Sequence, residues 1–283
     1  MKEYKNEDMR PYIMSSLNTP MINYKIYVMN KKEKFETFLF SMILGGILGM
    51  IFYGNLFRDI NGVKTTASTI SNLIVIILSG LFTWKLFYPL RKNMLMSKRK
   101  KELINQFRSL LDALAVSLSS GMNIIGAFKT AIKDLEMEYT RDSYIVSEVN
   151  EIINGLENNL TIESMLKELG DRSQIEDIKN FGSVFEICNK AGGNMKDVVR
   201  RTYNIISEKI EISQEIETAI TSNKIQFNAM MLVPVVLVLM MRLMSSSFSA
   251  GFASIPGVIS ITIALMIFLV AYKIGNKIMV IKG

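Results

Sequence analysis

The sequence predicts an all-α membrane protein: four transmembrane helices, two N-terminal and two C-terminal, flanking a six-helix cytoplasmic bundle. Three observations predict it. Residues 37–57 are 21 positions without a charge, and residues 65–84 are 20 more. Residues 225–241 and 243–272 are again uncharged, separated only by Arg242. Between these pairs apolar residues recur every three or four positions among many charges, the period of an amphipathic helix. A hydrocarbon core about 30 Å thick takes about 20 apolar residues as helix, and backbone in lipid must satisfy its own hydrogen bonds. The chain then divides into an N-terminal cytoplasmic arm (1–36), a first transmembrane hairpin (37–90), a cytoplasmic helical domain (91–228), a second hairpin (229–273) and a cytoplasmic tail (274–283).

Charge sets the expected orientation. The net charge of +7 is uneven. Residues 91–101 hold Arg91, Lys92, Lys98, Arg99, Lys100 and Lys101 with no acid, whereas residues 102–228 hold 13 bases against 20 acids. Bases gather beside the spans, and short Lys/Arg-rich segments stay cytoplasmic. Both termini and the central domain are therefore expected on the cytoplasmic side of a cell membrane. No basic patch with interleaved aromatics stands on the central domain, so a nucleic-acid partner is not expected.

In the first span, Gly45 and Gly49 have a small-xxx-small spacing; this is either a close-packing seam or the ordinary tolerance of membrane helices for glycine. Trp84, Lys85 and Tyr88 suit an interface at the end of the second span, with Pro89 expected to end that helix. Arg242, at the end of the third apolar run, is read as an interfacial or snorkelling residue, and Pro234 lies within that run.

The central domain reads as six helices. Leu103, Phe107, Leu110, Leu114 and Leu118 form the first stripe, stopped by Gly121. Asn123 caps the second helix. The third carries Ile145, Val149, Ile152 and Ile153, and Thr161 caps the fourth, with Ile162, Met165, Leu166 and Leu169 inward. The fifth carries Ile178, Phe181, Val184, Phe185 and Ile187. Gly192 and Gly193 then permit a tight reversal; no strand and no Lys-Ser/Thr pair accompany them, which argues against a phosphate loop. Asn194 caps a long sixth helix with Asp197 in its first turn, favourable for the helix dipole. Ile205, Ile212, Ile216 and Ala219 form its stripe, facing either the bundle core or a coiled-coil partner. This helix is expected to run on into the third span.

Three stretches carry a resemblance: QFRSLLDALAVSLSSGMNIIGAF, EDIKNFGSVFEICNKAGGNMKDVVRRTYNIISEKIEISQEIETAITSNK and MMLVPVVLVLMMRL. Together they resemble the type II secretion system F family, and within it the tight-adherence (Tad) pilus platform proteins. Asp177, Phe181, Gly192, Gly193, Asn194 and Pro234 are among the matching positions. The resemblance implies a bacterial inner-membrane platform protein whose partners are the lipid bilayer, a cytoplasmic secretion ATPase, prepilin or pseudopilin subunits, and a second copy or a sister F-domain protein. A generic scaffold of a competence or conjugation apparatus is the alternative. Where many relatives have a small glycine-containing turn before the fourth helix, this chain has Asn158-Asn159, and asparagine also adopts left-handed angles. The arm lies outside the resemblance.

Catalysis is not expected. The chain has no histidine and one cysteine, Cys188, which removes the commonest general base and any CxxC metal pair. No Asp, Glu or His falls inside an apolar run, so proton-coupled transport has no groups to work with. No catalytic, metal-binding or cofactor-binding residue is assigned. Partner-surface candidates are the charged residues Arg172, Asp177, Lys196, Arg200 and Arg201.

Overall fold

The computed structural model of the chain describes residues 10–54, 66–244, 251–252 and 254–279. In order these form a short hairpin, β1 (Tyr12–Met14) and β2 (Pro20–Ile22), then α1 (Lys31–Tyr53), α2 (Thr66–Ser119), α3 (Ile124–Glu138), α4 (Tyr144–Glu157), α5 (Ile162–Ser173), α6 (Glu176–Lys190), α7 (Met195–Met244) and α8 (Ile255–Met279). The described residues are overwhelmingly helical with almost no sheet. Among the described residues four helices, α1, α2, α7 and α8, are long and apolar enough to cross a membrane by length and composition. The end of the first apolar run (55–57) lies outside the described residues. Two compact units are present, residues 1–28 with 92–214 and residues 29–91 with 215–283.

The core of the first, charged unit draws on α2 to α7. Leu103, Phe107, Leu110 and Leu114 of α2 are fully buried, as are Phe128 of α3, Ile145 and Val149 of α4, and Leu166 of α5. Phe107 meets Phe181 edge-on at 5.5 Å, and Phe181 meets Phe185 at 5.7 Å. Caps and turns explain where the helices stop. Gly121 takes φ 86, and the Asn123 side chain accepts the Gly126 N–H at 2.7 Å to open α3. Asn159 takes φ 62, so the Asn-Asn turn uses the left-handed region. Thr161 accepts the Ser164 N–H at 3.3 Å to open α5.

The inward face of α7 differs from the expected stripe. Val199 and Ile206 are buried, whereas Ile205, Ile212 and Ile216 are exposed. The helix turns 100° per residue, so the neighbouring isoleucine at 206 selects a different face. In α6, Val184 and Ile187 are likewise exposed while Ile178, Phe181 and Phe185 face the core.

In the second unit, glycine lets α1 and α2 approach closely. A Cβ on Gly45 would lie 2.5 Å from Thr83 Oγ1, 2.7 Å from the Ser79 carbonyl oxygen and 2.9 Å from Gly80 Cα. The Gly45/Gly49 spacing is therefore a packing seam, filled by α2 of the same chain. Pro89 does not end its helix; it lies inside α2. Proline removes one N–H and crowds the carbonyl four residues back, and in membrane helices neighbouring groups re-satisfy the freed backbone.

Candidate functional site

The residues that combine charge with burial gather where the N-terminal arm meets α4 and α5. Both helices put charge on their apolar faces. Glu148 and Glu151 share the face of Ile145, Val149 and Ile152, and Arg172 follows Leu169 by three positions on the buried face of α5. Arg172 is only 6% exposed and Glu148 only 2%. Arg172 donates to both Glu148 carboxylate oxygens, at 3.0 and 2.5 Å, and its Nε lies 3.3 Å from Glu168. This corrects the expectation that Arg172 belongs to a partner surface. Burial makes this pairing necessary, since an unpaired buried charge costs several kcal/mol; the Nε–Glu168 approach is an ion pair without a hydrogen bond.

The arm completes this network. Tyr24, fully buried, donates its hydroxyl to Glu148 Oε1 at 3.0 Å and stacks edge-on against Tyr144 at 5.9 Å. Arg172 also donates to the Ile22 carbonyl at 3.3 Å. In the turn between β1 and β2, where Asn18 takes φ 58, Ser15 Oγ donates to Glu151 at 2.5 Å, and Thr19 Oγ1 donates to the same carboxylate. Ser16 gives both its N–H, at 3.0 Å, and its hydroxyl, at 2.6 Å, to Glu168. Three acids and one arginine of the helical unit thus hold a segment that sequence patterning left without a role. A signal was available: acids on the apolar face of one helix and an arginine on that of the next.

Burial, then the charge and hydrogen bond of Glu148, hold the Tyr24 phenol above its usual range; Arg172 opposes this weakly. Burial alone would lower the Arg172 guanidinium, but the hydrogen bond and charge of Glu148, then Glu168, raise it. For Tyr24 the consequence has a definite sign. The folded phenol keeps its proton above pH 10.0, the ordinary tyrosine value, where the unfolded one loses it. Stability is then complete below that pH and falls above it, by about 1.4 kcal/mol per pH unit. Chemical denaturation in detergent at rising pH is expected to show Tyr24→Phe losing less stability than wild type above that point. Parallel slopes would refute the assignment.

The remaining candidates lie elsewhere. Asp177 at the start of α6 pairs with Lys209 of α7 at 2.9 Å and is half-buried, so it braces the α6–α7 pair. Gly192, at φ 65, and Gly193, whose Cβ would meet Cys188 Sγ at 2.8 Å, make the reversal between those helices. The Asn194 side chain donates to Asp197 Oδ2 at 2.7 Å, and Asn194 O accepts from the Asp197 and Val198 N–H groups. Lys196 is half-buried, while Arg200 and Arg201 are exposed. Pro234 lies within α7 and lines an apolar cavity of about 340 Å³ with Phe52, Val238 and Phe268. Among the described residues no three His, Cys, Asp or Glu side chains converge as a metal site.

Arg242 is bound inside the second unit. Its guanidinium donates to the carbonyls of Phe52 (2.9 Å), Gly54 (3.1 Å) and Met50 (3.2 Å), and it sits 5.0 Å from the Phe252 ring centroid. It therefore caps the C-terminal end of α1, where the helix dipole is negative and terminal carbonyls are short of helical N–H partners, although Met50 O also accepts the Gly54 N–H. Arg242→Leu is expected to lower the melting temperature in detergent through a loss of about 1–3 kcal/mol. Arg242→Lys should recover only part, because an ammonium cannot reach three carbonyls in a fixed fork. Equal stability of all three proteins would remove the capping role.

Residues 110–242 match the family model for the Type II secretion system (T2SS), protein F. No curated protein and no solved structure matches the chain.

Proposed function

We propose that this chain, whose residues 110–242 match the family model for type II secretion system protein F, is a non-enzymatic inner-membrane platform protein of the tight-adherence pilus type. In this reading the charged unit lies in the cytoplasm, where a secretion ATPase acts on it. The apolar helices handle prepilin or pseudopilin subunits in the bilayer, and a second copy or sister F-domain protein completes the platform. The Lys/Arg-rich run at 91–101 supports the cytoplasmic side.

One observation carries the proposal. α7 is a single helix from Met195 to Met244. Within the charged unit it is braced through Lys209 to Asp177; within the apolar unit it is bound through Arg242 to the end of α1. A helix held in both units passes on displacement that a loop would absorb. Arg200 and Arg201, exposed on its first turns, are the charged groups offered to the motor.

A short Gly-Ser insert at Asn223 tests this. Fibre assembly is expected to be lost while the protein stays in the membrane at its normal level. Normal assembly with the insert would refute transmission through α7.

A further inference from the structure

We propose that the N-terminal arm is a mechanical tie, gripped by α4 and α5 and continuous with α1, so that movement of those helices is delivered to the first apolar helix. The inference rests on the platform reading and adds a second force path, separate from α7 and outside the matched residues 110–242.

The grip has one setting. Both Glu148 oxygens are engaged by Arg172, one of them also by Tyr24, and Arg172 holds the Ile22 carbonyl as well. Sliding the arm by one residue would leave the Glu148–Arg172 pair in place but carry the Tyr24 hydroxyl away from Glu148 and the Ile22 carbonyl away from Arg172, stranding buried polar groups. The hairpin pairs Tyr12 with Ile22 and Met14 with Pro20, and a register slip would turn every side chain to the other face.

The path from grip to helix is short. Residues 24–30 read YKIYVMN, with no glycine, serine or proline, unlike the compositions of flexible linkers. Tyr27 lies under the Arg99 guanidinium at 4.4 Å. Asn30 then opens α1 through a reciprocal cap: its side chain accepts the Lys31 N–H at 2.7 Å, and its own N–H donates to Glu33 at 2.8 Å. Helix α1 is entered from this side only through the arm. An arm that merely filled the core would not need an anchored path into the next helix.

The test uses the full chain in its host. A short Gly-Ser insert between Val28 and Met29 leaves the grip intact and slackens the tie. Expected are loss of fibre assembly, unchanged membrane level, and unchanged hydrogen-exchange protection of the amides in residues 12–24. Full assembly would overturn the tie. The matched insert at Asn223 separates the two readings. If the insert after Val28 is tolerated and the one at Asn223 abolishes fibres, the tie fails and the platform stands. If deleting the whole chain leaves fibres intact, the platform itself fails. Should the first insert lower the membrane level, Tyr24→Phe replaces it, keeping the ring and releasing Glu148. Faster exchange in residues 12–22 with reduced assembly supports the tie; faster exchange with full assembly overturns it.

Discussion

Arg172→Ala is expected to cost the charged unit about 3–5 kcal/mol, most of the stability of an ordinary domain. The loss comes less from the missing attraction than from what remains. Glu148, only 2% exposed, would be left in its buried site with a single hydroxyl donor, Tyr24. Glu168 would lose its cation, and the Ile22 carbonyl a donor. Removing both charges is therefore expected to be milder than removing one: Arg172→Met with Glu148→Met should recover much of the loss, as apolar replacements of buried pairs often do. Protease resistance of residues 92–214 in membranes, titrated with urea, reads this directly. A double variant as unstable as Arg172→Ala would mean that the arm depends on the charges themselves.

The second large effect is expected at the α1–α2 seam. Gly45→Leu adds a side chain where even a Cβ would meet two backbone atoms of α2, the Ser79 carbonyl oxygen at 2.7 Å and Gly80 Cα at 2.9 Å. Backbone cannot rotate away as a side chain can, so the helices must separate, at a cost of about 3 kcal/mol. Separation also breaks the fit of Gly80 against Met42 and of Gly49 against Ser79. Gly46→Ala is the control, because its Cβ would meet only the Ile76 Cγ2 methyl, at 3.2 Å. Thermal unfolding in detergent should show Gly45→Leu strongly destabilised and Gly46→Ala near wild type. Equal behaviour would place the seam elsewhere.

The four apolar helices were legible because uncharged runs of that length have few other uses, and the helices of the charged unit because their stripes and caps agree. What escaped was decided by partners distant in sequence. Arg172 lies on the apolar face of its own helix, but nothing local says that Glu148 and an arm some 150 residues earlier will receive it. The face of α7 was misassigned because isoleucine occurs all round that helix and only packing chooses Val199 and Ile206. The local cost of Pro89 points to a stop, but the rest of a 54-residue helix outweighs it. Arg242 lay at the end of an apolar run, so an interfacial reading fitted; its acceptors belong to the far end of α1. The short hairpin of the arm has strands of three residues each, too brief for alternation to register.

Everything proposed here requires the charged unit to stand within reach of a cytoplasmic motor, so its sidedness is the most direct test. Cys188, the single cysteine, and an exposed Arg200→Cys variant are to be labelled with a membrane-impermeant thiol reagent, with Asn61→Cys in a Cys188→Ser background as the comparison, since residue 61 lies between the first two apolar runs and a two-span hairpin with a cytoplasmic arm puts it on the far side. The account expects the first two thiols to be silent in intact cells and labelled after permeabilisation, and Asn61→Cys to be labelled in both. Labelling of Arg200→Cys in intact cells would contradict it.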